Sequence, residues 1–198
     1  MSPRPPQVLV VVGSLQRPSS TRAVLESLTK QLRTLGCEVD FLDLLEVPLP
    51  LFNPSTAYAE PSYLELRERV EQADVFVLGT PDYHGCMSGA LKNFLDHFWH
   101  EFAGKLFASV VASSDKGLTV SDQIRTVARQ CYAWSIPYAV AFSEKTDVQE
   151  GQIVGDVFRE RLCMLGQDLC TYGGVLAAQR RLDLAGTEPG FLARYRSP

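Results

Sequence analysis

Apolar residues follow two different spacings that alternate along the chain. Short runs of consecutive apolar, often β-branched residues indicate strands buried on both faces, whereas apolar residues that recur every three or four positions indicate amphipathic helices. The runs predict strands over 7–12, 38–43, 75–80, 106–112 and 138–142. The helical spacing predicts helices over 21–35, 63–72, 88–98, 120–133 and 154–171.

Residues that start or stop regular structure support these boundaries. Gly36 follows the first helix at a place where many helices need a left-handed residue, and Ser88 can cap the third helix. The pair Gly173-Gly174 is expected to close the last helix. Residues 44–62 hold four prolines and little periodicity, which predicts a long loop of the kind that is often functional.

Five alternations of strand and helix predict the fold class, an α/β domain. The pattern is typical of a parallel sheet with right-handed crossovers, whose ligands bind outside the carboxyl ends of the strands, where the strand order reverses. A length of 198 residues with 45% hydrophobic residues favours one domain over 1–198. Residues 1–6 and about 183–198 are expected to be loose tails. For the segment from Val175 to Pro198 the sequence allows three structures: a loose arm, a dimer contact or a partly disordered segment.

Charge and cysteine content narrow the possible partners. The formal net charge of −4 provides no basic field for nucleic acid or an anionic membrane surface, so neither partner is expected. The start of the chain carries no apolar signal core and no apolar run approaches the ~20 residues of a membrane span, which predicts a cytoplasmic protein. Five scattered cysteines without a CxxC pair favour neither a disulfide framework nor a metal site.

The loop after the first strand carries hydroxyl groups and leads directly into a helix. Unpaired backbone N–H groups at a helix start, together with the helix dipole, favour a phosphate. Neither a Walker A sequence nor GxGxxG is present, so a phosphate would be bound by hydroxyls and amides, as suits the single terminal phosphate of FMN. The alternative is that Ser20 merely caps the helix and the rest is a solvated turn. The candidate phosphate ligands are Ser14, Gln16, Arg17, Ser19, Ser20 and Thr21.

A second motif follows the third strand. Here Pro81-Asp82-Tyr83 precedes Ser88-Gly89-Ala90-Leu91-Lys92-Asn93-Phe94-Leu95-Asp96, which resembles the second signature of the NADPH-dependent FMN reductases, a flavodoxin-like family. The first loop also resembles that family's phosphate loop. The segment Asp43-Leu44 with 47–51 is similar to the one that follows its second strand. The three matches stand in the family's order over roughly residues 7–117.

The resemblance implies a fold, an activity and a set of ligands. It implies a flavodoxin-like three-layer sandwich with a five-stranded parallel sheet of order 2-1-3-4-5. It implies an oxidoreductase that passes electrons from NADPH or NADH through FMN to an acceptor such as free flavin, a quinone, an azo compound or a metal oxyanion. Hydride transfer is then the chemistry of the cofactors, so no catalytic side chain is expected. The residues implied to line the flavin ring are Pro81, Asp82, Tyr83, His84, Gly85, Ser113 and Ser114.

Two rival functions follow from particular features of the sequence. A flavodoxin-type electron carrier would share the fold and FMN without nicotinamide chemistry, although such carriers are usually more acidic than this chain. A flavin-free regulatory protein on the same fold is the second rival. It rests on Gln16, where many relatives carry Arg, and on the loop 113–117, which lacks the family's paired glycines.

An aromatic cluster at the end of the third helix predicts assembly. Phe94, Phe98, Trp99 and Phe102 form more apolar surface than one short helix needs to bury, and relatives commonly pair beside the flavin. A homodimer or a tetramer of dimers is therefore expected.

Overall fold

A parallel β-sheet forms the centre of the computed structural model, which describes residues 4–196. Its first four strands are β1 (Gln7–Val12), β2 (Glu38–Asp43), β3 (Val75–Pro81) and β4 (Leu106–Ala112). They lie in the order β2-β1-β3-β4, and the fifth position lies beyond β4. The predicted strand order 2-1-3-4-5 is thus confirmed, and the order reverses between β1 and β3.

The fifth position of the sheet is filled by two short strands instead of the single strand predicted over 138–142. Strands β5 (Trp134–Ser135) and β6 (Val140–Phe142) both pair with β4 in parallel. The amides of Trp134 and Ile136 donate to the Lys105 and Phe107 carbonyls at 2.8 and 2.9 Å, and pairing with β4 resumes where Val140 lies opposite Val110. The strand is therefore interrupted between Ser135 and Val140, in a segment that contains Pro137.

Helices cover both faces of the sheet. Helices α1 (Ser20–Thr34) and α5 (Asp156–Ala185) pack on one face, and α2 (Pro61–Gln72), α3 (Gly89–Asp96) and α4 (Leu118–Gln130) pack on the other. Alternate residues of each strand point to opposite faces, so Val10 joins the first core and Val11 the second. The three-layer sandwich and the five predicted helices are confirmed, with boundaries that differ by a few residues except at the end of α5.

The last helix does not stop at the glycine pair, and the predicted end at Gly173-Gly174 is wrong. Helix α5 continues to Ala185, and both glycines are buried within it. A Cβ atom added at Gly173 would lie 2.5 Å from Cγ2 of Val75. Gly173 is therefore a point of close approach between helix and sheet and not a helix end.

The chain beyond α5 packs against the domain, contrary to the expected loose tail. Residues Phe191–Tyr195 form a 3-10 helix, and Leu192 within it is buried. The Arg196 guanidinium donates to the carbonyls of Asp183 and Glu188, which closes the segment on itself. Residues 1–3 and 197–198, which belong to the two predicted tails, lie outside the described residues.

Two smaller elements occupy long connections. The predicted loop after β2 contains a 3-10 turn at Ala57–Ala59, and β7 (Val148–Gln149) and β8 (Gln152–Ile153) form a hairpin before α5. Although α5 spans 30 residues, no helix within residues 4–196 combines the length and apolar character needed to cross a membrane.

Candidate functional site

Three loops meet at the carboxyl ends of β1, β3 and β4. The Gly13 amide donates to the Gly79 carbonyl at 2.8 Å, and the Ser88 hydroxyl donates to the Gly13 carbonyl at 2.6 Å. On the other side, the Asp82 amide donates to the Ala112 carbonyl at 2.8 Å. The residues predicted from separate motifs are thus brought to one edge of the sheet, at the point where the strand order reverses.

The first loop leads into α1, and few of the backbone N–H groups at the start of this helix have a hydrogen-bond acceptor in the described part of the chain. The Ser19 hydroxyl caps the helix by accepting from the Arg22 amide at 3.2 Å, so the cap is Ser19 and not Ser20. The amides of Ser20 and Thr21 have no acceptor within residues 4–196, as is usual in the first turn of a helix. Ser14 is buried beneath the loop, and its hydroxyl accepts from the Gln16 amide at 3.4 Å.

The cations in the first loop and in the first turn of α1 already have carboxylate partners. Arg17 pairs with Glu46, and both side chains are exposed. Arg22 pairs with the buried Asp43 and with Glu26, whose hydrogen bond is the main cause of the raised pKa of the Arg22 guanidinium. A cavity of about 540 Å³ beside the loop is lined by Ser14, Gln16, Arg17, Ser19 and Ser20 together with these acids. Hydroxyl and amide groups therefore remain as the uncommitted donors.

The segment after β3 forms a tight turn across Tyr83 and Cys86. The amide of each donates to the carbonyl of the other, at 2.9 and 3.0 Å. The two central residues, His84 and Gly85, have φ of 58° and 76°, the positive pair that is typical of a type I′ turn. Because Gly85 lacks a side chain it accepts this conformation without strain, whereas His84 is held there by its surroundings. Tyr83 and His84 are exposed at the tip.

Asp82 and Ser113 connect this turn to the loop after β4. The Asp82 carboxylate accepts from the Gly85 amide at 2.8 Å and from the Ser113 hydroxyl at 2.9 Å. Ser113 also accepts from the Asp115 amide at 3.2 Å. These two predicted flavin ligands therefore have contacts within the protein that brace the site, whereas Ser114 is exposed beside them. Pro81 is the buried last residue of β3.

Sequence reasoning missed Gln123 on α4. Its side chain donates to the Gly85 carbonyl at 3.1 Å and to the Cys86 sulfur at 3.4 Å, and it accepts from the Met87 amide at 3.2 Å. A polar residue on an amphipathic helix is usually exposed, so the sequence contained no signal for this contact.

An apolar groove opens between the turn and α4. The groove measures about 760 Å³, and exposed Leu118 lies on its wall with Cys86, Met87 and Val127.

The aromatic cluster that was expected to form a contact surface lies elsewhere and is mostly internal. Phe94, Phe98 and Phe102 belong to the core, and of that cluster only Trp99 is exposed. These rings fill the core between the sheet and helices α2, α3 and α4, so they are not evidence for assembly.

The arrangement fits FMN. Free amides and hydroxyls at a helix start suit a terminal dianionic phosphate. A rigid turn with an exposed aromatic side chain at the neighbouring strand end suits a flat ring system. A model of the NADPH-dependent FMN reductase family matches residues 6–147, which include all three loops. This chain belongs to the NADPH-dependent FMN reductase family.

Individual relatives agree with this membership. An FMN-dependent NADPH-azoreductase of Staphylococcus aureus is 31% identical over 141 residues, covering 67% of this chain and 74% of that protein. Among solved structures, an apo NADH:FMN oxidoreductase has a TM-score of 0.69 at 16% identity, covering 84% of this chain and 89% of its own. A flavodoxin from the domain Archaea has a TM-score of 0.60 at 13% identity, covering 84% and 97%. At these identities the two structures show the fold alone.

Membership confirms several expectations from the sequence. The chain is an NAD(P)H-dependent flavin oxidoreductase, with FMN as its cofactor and a reduced nicotinamide nucleotide as co-substrate. The contacts of individual residues with the flavin stay predictions, and the geometry above limits which groups are free to make them.

Proposed function

We propose that this enzyme binds FMN across the carboxyl ends of β1, β3 and β4 and transfers electrons from NADPH or NADH to a small-molecule acceptor, as one domain over residues 1–198. The observation that carries the proposal is the hydrogen-bonded junction of the three loops at the reversal of strand order. When bound, FMN supplies the hydride and electron chemistry. The protein supplies binding, orientation and exclusion of water.

Under this proposal the first loop binds the phosphate. Ser19, Ser20 and Thr21 contribute hydroxyl or amide donors at the start of α1, where the helix dipole also favours an anion, and Ser14 contributes its hydroxyl from beneath the loop. The exposed Arg17–Glu46 pair is worth about 0 to 1 kcal/mol, so a dianion can compete for the guanidinium. Gln16 extends the donor set from the edge of the same cavity.

The ring system lies between the other two loops in this proposal. Tyr83 packs on the isoalloxazine, and the backbone of the turn reaches its polar edge. Asp82 and Ser113 hold the turn to the loop after β4. The exposed Ser114 lines the same side of the proposed ring site. His84 is a ring-positioning residue. No step of the proposed reaction requires a protein nucleophile or a protein acid.

We also propose a homodimer, or a tetramer of dimers, formed through the apolar groove beside the turn. The groove walls include exposed Leu118 and Cys86 next to the proposed ring site, so a second copy seated there would shield the flavin from water. Cytoplasmic location belongs to the same proposal, because reduced nicotinamide nucleotides are supplied inside cells. The acceptor classes are free flavin, quinones, azo compounds and metal oxyanions.

A direct experiment separates this function from its rivals. The purified protein is titrated with FMN while its visible spectrum is recorded, and oxidation of NADPH and NADH is then followed with a panel of acceptors. We expect saturable FMN binding and acceptor-dependent oxidation of at least one nucleotide. Binding of FMN without nucleotide oxidation would indicate an electron carrier, and failure to bind FMN would indicate the regulatory alternative. Sedimentation equilibrium at micromolar concentration tests the dimer, which a monomer alone would contradict.

A further inference from the structure

The backbone of the turn at Tyr83–Cys86 is almost completely paired. The amides and carbonyls of Tyr83 and Cys86 bond to each other, the Gly85 amide bonds to Asp82, and the Gly85 carbonyl bonds to Gln123. His84 is the exception, because neither its N–H nor its C=O group has a partner within residues 4–196. One peptide donor and one acceptor therefore remain at the tip of the turn.

The side chain of Gln123 reaches both sides of this turn. Its amide nitrogen donates to the Gly85 carbonyl, and its amide oxygen accepts from the Met87 amide just beyond the turn. The same nitrogen contacts the Cys86 sulfur at 3.4 Å. A side chain from α4 thus restrains, together with Asp82, a turn in which His84, a non-glycine residue, is held at φ 58°.

Helix α4 does not need Gln123 for its own attachment to the sheet. The buried face of the helix is formed by Val120, Ile124 and Ala128, which belong to the core. Gln123 lies outside this face and is only partly buried. Its three polar contacts therefore restrain the turn more than they restrain the helix.

We propose that Gln123 is a positioning residue for flavin recognition. It occupies the Gly85 carbonyl and fixes the turn, so that the His84 peptide is the group presented to the polar edge of the ring. This inference rests on the proposed function. It adds that recognition of the ring depends on the peptide of His84 and on a side chain from α4.

The test compares Gln123→Met with Gln130→Met. Methionine keeps the length and packing of glutamine without its hydrogen bonds, and Gln130 is exposed at the end of the same helix. Dissociation constants for FMN and riboflavin are measured by fluorescence, together with the melting temperature of the flavin-free protein and the midpoint potential of bound FMN. A third variant, Gln123→Glu, keeps the acceptor for Met87 but turns a carboxylate toward the Gly85 carbonyl.

We expect Gln123→Met to weaken the binding of FMN and riboflavin alike, about tenfold, since the three polar contacts that order the turn are lost. The midpoint potential of FMN should shift, the melting temperature should change little, and Gln123→Glu should bind both flavins more weakly still. Gln130→Met should match the wild type. Unchanged flavin affinity in Gln123→Met, or a loss restricted to FMN, would overturn the inference. Failure of the wild-type protein to bind either flavin would instead count against the proposed function.

Discussion

The side chain of Asn93 accepts a hydrogen bond from the backbone amide of Phe52 at 2.8 Å. Its amide nitrogen also donates to the carbonyls of Leu49 and Pro50, at 3.3 and 2.9 Å. Asn93 lies on α3, whereas the other three residues belong to the proline-containing loop after β2. Two segments that resemble family motifs in the sequence are therefore one structural unit, in which a helix side chain satisfies the backbone of a loop.

Replacing Asn93 with Ala should destabilise this loop. Three hydrogen bonds are lost, two of them partly buried, so the free energy of unfolding should fall by about 1 to 3 kcal/mol. Urea denaturation measures the change. Asn53→Ala is the matched control, because within residues 4–196 the Asn53 side chain makes one hydrogen bond, a local one from the exposed Ser55 amide. Equal losses in the two variants would contradict the role of Asn93.

Replacing Ser19 with Ala should distinguish FMN from riboflavin. The change removes a hydroxyl donor that only the phosphate of FMN can use, which costs roughly 1.5 to 3 kcal/mol for a hydrogen bond to a charged group. Fluorescence titration with each flavin measures the difference. Loss of the cap should also lower stability by about 1 kcal/mol, whereas Ser19→Thr should keep the cap. An equal loss of affinity for both flavins would refute phosphate binding by this residue.

Tyr83→Ala tests the ring site. Since Tyr83 is 50% exposed at the tip of the turn, its removal should leave the melting temperature of the flavin-free protein nearly unchanged. Flavin affinity and the rate of flavin reduction by NAD(P)H should both fall, as stopped-flow measurements would show. A variant that binds FMN normally but melts several degrees lower would assign Tyr83 to the scaffold.

The adjacent glycines of α5 should respond in opposite directions to alanine. A Cβ atom at Gly173 would lie 2.5 Å from Val75 in the core, so Gly173→Ala should destabilise by about 1 to 3 kcal/mol. At Gly174 the nearest atom is Cδ of Pro6 at 3.9 Å, so Gly174→Ala should stabilise by up to about 1 kcal/mol through helix propensity. Urea denaturation of both variants checks the signs, and a stabilising Gly173→Ala would contradict the close approach.

Lys105 makes stability depend on pH. Its buried ε-amino group donates to the carbonyls of Val70 and Glu71 at the end of α2, and burial lowers the pKa of Lys105 from 10.5 to about 7. Between these values the unfolded chain holds the proton that the folded protein has lost. The contribution of Lys105 to stability therefore rises with pH, by up to about 1.4 kcal/mol per pH unit.

The variant Lys105→Met isolates this contribution. Burial raises the pKa of Cys131 to about 11, which has the opposite effect at high pH and is common to both proteins. The stability of the wild type minus that of Lys105→Met should therefore increase from pH 7.5 to 9.5 in urea denaturation. The exposed Lys92→Met control should show no such trend, and a flat difference for Lys105→Met would refute the lowered pKa.

Local patterns in the sequence were enough for the fold and the family. The strand runs and helical spacings predicted every major element, because burial on one or two faces imposes a period on the residues themselves. Ser88 was predicted as a cap, and it caps α3 through the Leu91 amide at 3.1 Å. The motifs after the first and third strands predicted the edge of the sheet where the candidate site lies, since parallel strands bring their carboxyl ends together.

Contacts between distant segments were decided only by the tertiary structure. Gly173 signals a helix end by composition, but its neighbour Val75 makes it a packing residue. Phe102 belongs to the core although the aromatic cluster that contains it predicted a contact surface between subunits. Gln123 contacts a turn some 36 to 38 residues away along the chain. A residue's own identity sets its preference, but its partners depend on which segments the fold brings beside it, and no local period encodes that information.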